Sequence, residues 1–431
     1  MDRHDEAKTD EAIAGGAGMT GERLKRTLHA RNDAETDRSR LLEGAAWDDF
    51  CDSLKRAGRN ILAANPGCSE IDRAEGYRYL SGLVNAAIRF SVDFRDPQVP
   101  CFFRSPDSRN KWGAENADNQ YLFVRISPEH VYRLHGRRNS VFDFLIEVKE
   151  GFMQLGDDHV YETRSSGDLG MEPDGSFEIL LSADRPSNHA GNWIPIHADA
   201  KYVTIRQYFH DWDSEIPASF QVECVDRPGA APEPLTPAAM ASVLDDAGEW
   251  VEVSSRFWQQ WVDRIRDDWK PGEIAEAKKY VGGAETIRYG NDYYRVAPGR
   301  ALLVETDVPD ARYWAFQLCG LWFESADYTN RQTSINGHQA HIDSDGRFRC
   351  VLAHEDPGVS NWLDTAGHVE GLLQYRWIWT RNNPRPTCRE VSLAEVYGVL
   401  PADTPRVSPR ARRRRIAARQ RAVARREPWA G

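Results

Sequence analysis

A pattern that the sequence contains twice constrains the fold of this chain more than any other feature. One copy begins at Asp174 and the other at Asp345. Each opens with Asp-Gly-x-Phe, passes through a polar loop to Asn-Trp, and continues into an apolar segment with one Arg. The opening Asp and the Trp are 19 residues apart in the first copy and 17 in the second, a difference that a surface loop tolerates. The shared order predicts an internal duplication of one β unit.

Each copy predicts two strands joined by a loop. Turn residues precede the first strand, at Phe177–Leu181 in one copy and Phe348–Leu352 in the other. The second strand carries Arg206 in the first copy and Arg376 in the second. A buried Arg needs a carboxylate or a carbonyl as a partner. We therefore expect either a structural partner inside the protein or the anionic group of a ligand beside each Arg.

The repeated pattern resembles the signature of a bacterial family, "domain of unknown function 1214", which runs roughly Asp-Gly-x-Tyr, Asn-Trp-Leu-Pro and Arg-x-Tyr. The first copy has Asn-Trp-Ile-Pro at 192–195 and Arg-Gln-Tyr at 206–208. The second departs from the signature, with Asp364 in place of Pro and Arg-Trp-Ile at 376–378. The resemblance also takes in residues 73–80 and covers most of 45–400. It implies jelly-roll-like β-sandwich units and assigns no chemistry.

Periodicity divides the remaining chain into helical and strand segments. Apolar residues at helical spacing occur at 47–61, 77–88 and 240–269, whereas β-branched and aromatic runs bounded by Gly, Asn and Asp follow residue 100 and residue 287. The fold class we predict is mainly β with flanking helices (α+β), with two tandem jelly-roll-like antiparallel β-sandwich units. The predicted segments are a disordered tail 1–40, a helical hairpin 41–97, a first sandwich 98–226, a linker with helices 227–284, a second sandwich 285–384, and a C-terminal helix with an Arg-rich tail 385–431.

Composition limits the classes of protein and the partners. A hydrophobic content of 41% with 14 Trp excludes global disorder. Seven scattered Cys without a C-x-x-C pair indicate reduced thiols in the cytoplasm. No apolar run approaches the length of a membrane span. The sequence leaves a homo-oligomer open.

The net charge of −11 is unevenly distributed. Residues 410–427 hold nine Arg and one Glu, so the rest of the chain has a net charge of about −19. We therefore expect no nucleic-acid binding by the body, and we expect the tail to dock on that acidic body. Because the tail has few apolar residues, we also expect its removal to leave the fold intact.

The densest polar cluster lies between Tyr208 and Glu215. It contains His210, Asp211 and Asp213, which we predict to be the catalytic residues if the protein has a chemical site. Close carboxylates repel each other, and a carboxyl group with a raised pKa suits general acid–base catalysis. Oxygen ligands at this spacing could also bind Ca²⁺ or Mg²⁺. The alternative is a strand end whose carboxylates form local turns.

Aromatic and Arg side chains of the repeat are the candidates for ligand binding, namely Trp193, Arg206, Tyr208, Trp362 and Arg376. In the alternative that we favour for the two Trp, the neighbouring Asn fixes the loop and the indole plugs the end of the sandwich. The cofactor and any metal are unknown. His338 and His341 are a weak zinc candidate, because three-residue spacing suits a helix better than the strand expected there.

Three classes of function follow. The first is an enzyme with a pocket between the two sandwich units that acts on a small organic, lipid or sugar-like compound. The second is a non-catalytic, aromatic-rich ligand-binding protein, and the third is a structural or assembly subunit. A deep cleft between the units favours the first class, a flat aromatic face the second, and a large exposed apolar patch the third.

Overall fold

A computed structural model describes residues 32–229, 231–280 and 286–427 of the protein. The α-helices of this part are α1 Ala34–Leu42, α2 Ala45–Ala63, α3 Glu70–Ile88, α4 Pro237–Asp267, α5 Val396–Val399 and α6 Pro409–Arg426. Helix α1 begins inside the segment 1–40 that the sequence predicts to be disordered, because Asp33 accepts a hydrogen bond from the Thr36 amide and caps its first turn. The rest of that prediction, residues 1–31, lies outside the described residues.

Helix α4 is a single helix of 31 residues, where the sequence suggests a helical hairpin. Thr236 caps its N-terminus and Pro237 occupies its first position, an arrangement that favours helix initiation. At Gly248 it lies so close to α2 that a Cβ atom would be 2.9 Å from the Ser53 hydroxyl oxygen. Helices α1, α2 and α3 pack on α4.

The strands form four sheets, and the predicted class, mainly β with flanking helices, is confirmed. The first nine are β1 Phe103–Arg104, β2 Asn119–Arg125, β3 Tyr132–Arg137, β4 Asp143–Lys149, β5 Val160–Ser165, β6 Ser176–Ser182, β7 Asn192–Pro195, β8 Tyr202–Tyr208 and β9 Ser219–Cys224. The next eight are β10 Ile287–Arg295, β11 Arg300–Asp307, β12 Ala311–Cys319, β13 Ser334–Asn336, β14 Arg347–Ala353, β15 Trp362–Asp364, β16 Glu370–Thr380 and β17 Thr387–Ser392. We call β1–β9 the first unit and β10–β17 the second unit.

Each unit contains an inner sheet, which faces the other unit, and an outer sheet. The inner sheets have the orders β1-β2-β8-β4-β5 and β10-β16-β12-β13, and the outer sheets β7-β6-β3-β9 and β15-β14-β11-β17. The inner sheets are antiparallel as predicted, but each outer sheet is mixed, because β7 pairs parallel with β6 and β15 pairs parallel with β14. The two outer sheets have equivalent strand orders, because adding eight to each strand number of the first unit's outer sheet gives the order of the second unit's outer sheet.

The predicted repeat falls on strands that occupy corresponding places. Phe177–Leu181 lies in β6 and Phe348–Leu352 in β14. Around the central strands β8 and β16 of the inner sheets, β10 occupies the place of β2 and β12 occupies the place of β4. The duplication itself stays a prediction, and we return to it below.

Alternation along the strands decides which side chains face the other unit. On β4, Phe144, Ile146 and Val148 point into the core of the first unit, so the residues between them face the second unit. One of these, Leu145, packs in a cluster that joins the units, with Tyr208, Ile287, Tyr313, Ala315 and Ile378. Each inner sheet therefore packs on its own unit's core with one face and on the other unit's inner sheet with the opposite face.

Helix α6, the basic C-terminal segment, packs on both units. Arg412, Arg419 and Arg426 are spaced seven residues apart and are buried. Ala422 and Val423, between them, belong to the core of the first unit. The docking of this helix on the body agrees with the sequence-based expectation. Because one Arg in every two turns is buried together with these apolar residues, the structure gives less support to the expectation that removing the tail leaves the fold intact.

The buried Arg side chains of α6 use carbonyl groups and rings more than acids. Arg412 forms an ion pair with Asp356 at 2.9 Å. Arg419 donates to the Tyr328 carbonyl at 3.0 Å and lies 4.3 Å from the centre of the Trp212 ring. Neither Arg419 nor Arg426 has a carboxylate within ion-pair distance in the described part of the chain. Planar guanidinium groups suit this combination of carbonyl and ring contacts.

Candidate functional site

A cavity of about 170 Å³ lies between the inner sheets. Its floor and roof are the central strands β8 and β16 with their neighbours, and α4 closes one side with Trp258 and Trp261. We call it the inter-unit cavity. Sites for small molecules are commonly concave, mostly apolar and placed where two structural units meet.

Two Arg side chains line the inter-unit cavity from opposite units. Arg206 lies on β8, next to Tyr121 of β2, and Arg376 lies on β16, next to Tyr289 of β10. The two units thus present an Arg beside a Tyr from corresponding strands. Both Arg are among the residues that the sequence predicts to bind a ligand, and that role stays a prediction.

The two Arg differ in their electrostatic partners. Arg206 pairs with Glu147, 3.2 Å from Nε to Oε2, and the Thr204 hydroxyl donates to the same oxygen at 3.1 Å. Burial opposes the charge on Arg206, but Glu147 holds the pKa of Arg206 well above its ordinary value. The expected structural partner of Arg206 thus has a candidate in Glu147.

Arg376 has no such counterion. It is 5% exposed, and its Nη2 donates to the carbonyl of Ala114. Its guanidinium lies 5.8 Å from the centre of the Tyr289 ring. Within the described residues no carboxylate lies within ion-pair distance of it. A buried cation without an anion is costly, which makes Arg376 the cavity's best point of attachment for an anionic group.

The backbone beside Arg376 adopts an uncommon conformation. Ala114 and Phe323, which both line the cavity, have positive φ angles of 47° and 54°. They are joined by a hydrogen bond of 2.7 Å from the Ala114 amide to the Phe323 carbonyl. Non-glycine residues in the left-handed region are uncommon and cluster at functional sites.

Four other residues of the cavity wall have buried polar atoms without a hydrogen-bond partner in the described protein. They are Asn119 Oδ1, Gln154 Nε2, the Tyr208 hydroxyl and the Trp258 indole N–H. Burial raises the pKa of Tyr208, so its hydroxyl stays protonated and can donate. Most buried polar atoms are hydrogen-bonded, so four exceptions among the residues that line one cavity distinguish this region of the protein.

The segment after β8 has a different arrangement from the one predicted. The strand ends at Tyr208, and Asp211–Ser214 form a turn, so the carboxylates do not alternate along a strand. Asp211 accepts hydrogen bonds from the Asp213 amide and the Ser214 hydroxyl. The Ser214 hydrogen bond lowers the pKa of Asp211. This geometry is the turn-forming alternative named above.

Neither His210 nor the neighbouring acids line the inter-unit cavity. His210 contacts the Tyr313 and His338 rings of the second unit, at 6.1 and 5.5 Å between centroids, and burial lowers its pKa. Glu215 accepts from the amides of His210 and Asp211, and burial raises its pKa. The segment therefore faces the second unit, while the catalytic role of His210, Asp211 and Asp213 stays a prediction.

The two Trp of the repeat lie on the outer sheets and not in the cavity. Trp362 is buried and donates to the Ala353 carbonyl at 3.0 Å, and the half-buried Trp193 donates to the Ser182 hydroxyl at 3.0 Å. The preceding Asn192 bonds the backbone of residues 170 and 178, and Asn361 bonds the backbone of residues 341 and 349. These contacts favour the loop-fixing interpretation over ring stacking.

A buried charged trio joins α3 to the second unit, and sequence analysis missed it. His368 Nδ1 lies 2.6 Å from Asp72 Oδ1, and its Nε2 lies 3.2 Å from Glu75 Oε2. Burial alone would lower the pKa of His368, but the two carboxylates raise it to about 9. Next to the trio, Gly76 leaves room for the Trp322 ring, since a Cβ would lie 2.5 Å from it. The spacing of Asp72 and Glu75 by one helical turn is the signal that could have indicated a shared partner.

Two groups of side chains in the described residues have the composition of a metal site. They are His130 with Cys224 and Asp226, and His341 with Asp343 and Asp403. Both have partners inside the protein, since Asp226 accepts from the Val131 amide and Asp343 is paired with Arg349. His338, the other half of the weak zinc candidate, lies 3.6 Å from Asp211 instead. No helix within the described ranges is long and apolar enough to cross a membrane.

Comparison with known proteins identifies the family. The family described as "Protein of unknown function (DUF1214)" matches residues 124–210, which extend from β2 to the end of β8. The crystal structure of an uncharacterized protein from Burkholderia cenocepacia is 35% identical, covers 83% of this chain and 99% of its own, and superposes with a TM-score of 0.78. The VPA0106 protein from Vibrio parahaemolyticus is 10% identical, over 78% of this chain and 100% of its own, with a TM-score of 0.44. No curated protein matches the sequence. The chain belongs to the DUF1214 family.

Proposed function

We propose that the protein binds a small organic carboxylate with an apolar or aromatic body in the inter-unit cavity, with the carboxylate against Arg376. The observation that carries the proposal is the buried guanidinium of Arg376, which has a carbonyl but, among the residues that the structure describes, no carboxylate within ion-pair distance. Arg recognises carboxylates through paired N–H donors. Of the three classes of function considered above, this favours the two that use a ligand.

The residues that line the cavity indicate what the part of the ligand beyond its carboxylate is like. Aromatic rings from α4, β2 and the loops contribute a large share of the lining, and among them Trp258 and Phe323 stack with centroids 5.2 Å apart. Such walls suit a flat or aliphatic body. Asn119, Gln154 and Tyr208 also line the cavity and carry both hydrogen-bond donors and acceptors, so we expect one or two polar substituents on that body.

We further infer that the two units arose by duplication and that each contributed one Arg beside one Tyr to the cavity. One support is the agreement of strand order between the units. The other is that the two Asn side chains make equivalent contacts. Asn192 bonds backbone carbonyls 22 and 14 residues before it, and Asn361 bonds backbone carbonyls 20 and 12 residues before it. After such a duplication, Glu147 neutralises one Arg, and the other is free for a ligand.

The affinity of Arg376→Gln for carboxylates, compared with that of the wild-type protein, tests the proposal. We would titrate wild-type protein with benzoate, phenylacetate and hexanoate and with their neutral amides, using calorimetry and the Trp fluorescence of the cavity. We expect the carboxylates to bind more tightly than the amides. We expect Arg376→Gln to weaken carboxylate binding about 10-fold to 100-fold, the range for losing a charged hydrogen bond worth roughly 1.5–3 kcal/mol.

A matched control separates this effect from a change in net charge. Arg381→Gln removes the same charge from a side chain that is 85% exposed and lies on the loop after β16, and it should leave the affinity unchanged. Circular dichroism and the urea midpoint would establish that Arg376→Gln is folded. Equal affinity for carboxylates and amides, or unchanged affinity in folded Arg376→Gln, contradicts the proposal.

A further inference from the structure

Lys149 is one of the residues that line the inter-unit cavity. Lys149 is the last residue of β4, and it points to the same side of the sheet as Leu145 and Glu147, toward the second unit. It is half-buried, and its amine has no hydrogen bond or ion pair with any described residue. Many Lys amines in proteins are unpaired because they extend into solvent, but this one borders the proposed ligand site.

The surroundings of Lys149 lower the pKa of its amine. Burial is the largest effect and lowers the pKa of the amine, and the nearby Arg206 acts in the same direction. Glu147, on the same strand, and Asp158, on the loop before β5, oppose them. Among these groups Glu147 is already bound to Arg206. An amine in an apolar site beside another cation is the setting in which Lys acts as a nucleophile.

We propose that Lys149 condenses with the carbonyl group of an oxo carboxylic acid that is held in this cavity through its carboxylate. The inference rests on the proposed function and specifies its substrate class. The neutral amine nitrogen attacks the carbonyl carbon and forms a C–N bond. The carbonyl oxygen then takes up the two protons of the amine and leaves as one molecule of water. The product is an imine between Lys149 and the ligand, and hydrolysis reverses the step without any oxidant or reductant.

The position of Lys149 on β4 limits the shape of the ligand. Lys149 is two residues beyond Glu147, which corresponds to about 7 Å along a strand, and Glu147 is the residue that holds Arg206. The amine is therefore displaced along the cavity from the Arg pair. A ligand that reaches both Arg376 and Lys149 needs several carbon atoms between its carboxylate and its carbonyl group, as in 5-oxohexanoate, whereas pyruvate is too short.

Trapping with borohydride tests the inference. Full-length protein would be incubated with 5-oxohexanoate and sodium borohydride, which reduces an imine to a stable secondary amine, and peptide mass spectrometry would locate the adduct. We expect the adduct on Lys149 to exceed that on the exposed Lys55 by about tenfold or more, because desolvation keeps an amine neutral and nucleophilic. Excess hexanoate should compete, and Arg376→Gln should reduce the yield.

Hexanoate, which has no carbonyl group, distinguishes the two proposals. Hexanoate binding to the wild-type protein tests carboxylate recognition alone, while Lys149→Arg, which has no amine able to form the imine, abolishes the adduct at position 149. Normal hexanoate binding with no adduct at Lys149, or with adducts spread equally over surface Lys residues, overturns the role of Lys149 and leaves carboxylate binding intact. Failure of both hexanoate and 5-oxohexanoate to bind overturns both proposals.

Discussion

Replacing His368 with Gln tests how much the buried trio contributes to stability and in which pH range. His368 has a side chain that is 4% exposed, and its two ring nitrogens face Asp72 and Glu75. The carboxylates raise its pKa to about 9, against 6.5 for the ordinary side chain. One pKa unit corresponds to about 1.4 kcal/mol, so protonated His368 contributes about 3 kcal/mol to the free energy of unfolding.

The direction of each shift gives the pH range. Because the pKa of His368 is higher in the folded state, its contribution is fully present below pH 6.5 and is lost as the pH rises through about 9. Burial opposes the charges of Asp72 and Glu75, but His368 lowers the pKa of both. Their contributions are therefore present above their ordinary pKa values and are lost as the pH falls. The trio stabilises the protein most between roughly pH 5 and 6.5.

Urea unfolding of wild-type protein and His368→Gln at pH 6 and pH 9.5 measures this effect. Between these pH values we expect the wild type to lose about 3 kcal/mol more than the variant does, since other titrating groups cancel in the difference. His338→Gln is the control, because that side chain is 52% exposed, and it should keep the pH dependence of the wild type. Equal pH dependence of wild type and His368→Gln would refute the reasoning.

Three further predictions concern the repeat, the basic helix and the segment after β8. Trp362→Ala should lower stability by about 3–5 kcal/mol in urea titrations because the ring is buried, and Trp193→Ala should cost less because its ring is half-buried; equal costs would contradict this. Deletion of residues 406–431 should lower the urea midpoint, because α6 contributes to the first unit's core, and an unchanged midpoint would show that its packing is dispensable. Asp211→Asn and His210→Ala should leave hexanoate affinity unchanged, since neither residue lines the cavity; a loss of affinity would restore the sequence-based site.

The repeated strands were predictable because their signals are local. In both copies the Asp of Asp-Gly accepts a hydrogen bond from the amide two residues later, at 2.9 Å in Asp174 and 3.1 Å in Asp345. Such turns depend only on neighbouring residues. The two Arg of the cavity were also predictable, because a charge in the middle of an apolar strand stands out in sequence.

The rest of the site depends on contacts between distant residues. Lys149 and Trp258 come to the cavity from β4 and α4, and neither has a local sequence pattern that distinguishes it. His368 meets Asp72 across 296 residues of sequence. At Asp211 a high local density of polar residues predicts a chemical site, and this role stays a prediction, while the carboxylate accepts a hydrogen bond within its own turn. A high number of polar residues in a short segment does not show whether their polar atoms are already hydrogen-bonded within the protein or are available to a ligand.

The docking of α6 has a consequence for how the protein matures during translation. Both units precede this helix in the chain, so they leave the ribosome before the segment that contacts both of them. Arg425 reaches the Trp212 carbonyl of the first unit, and Arg412 reaches Asp356 of the second. Until α6 emerges, the surface that it covers is exposed, and partly folded chains with exposed apolar surface are prone to aggregate. We expect ribosome-bound chains that stop before residue 409 to be cleaved by protease more rapidly than chains that include α6, so that a stop codon before residue 409 would impair the maturation of both units at once.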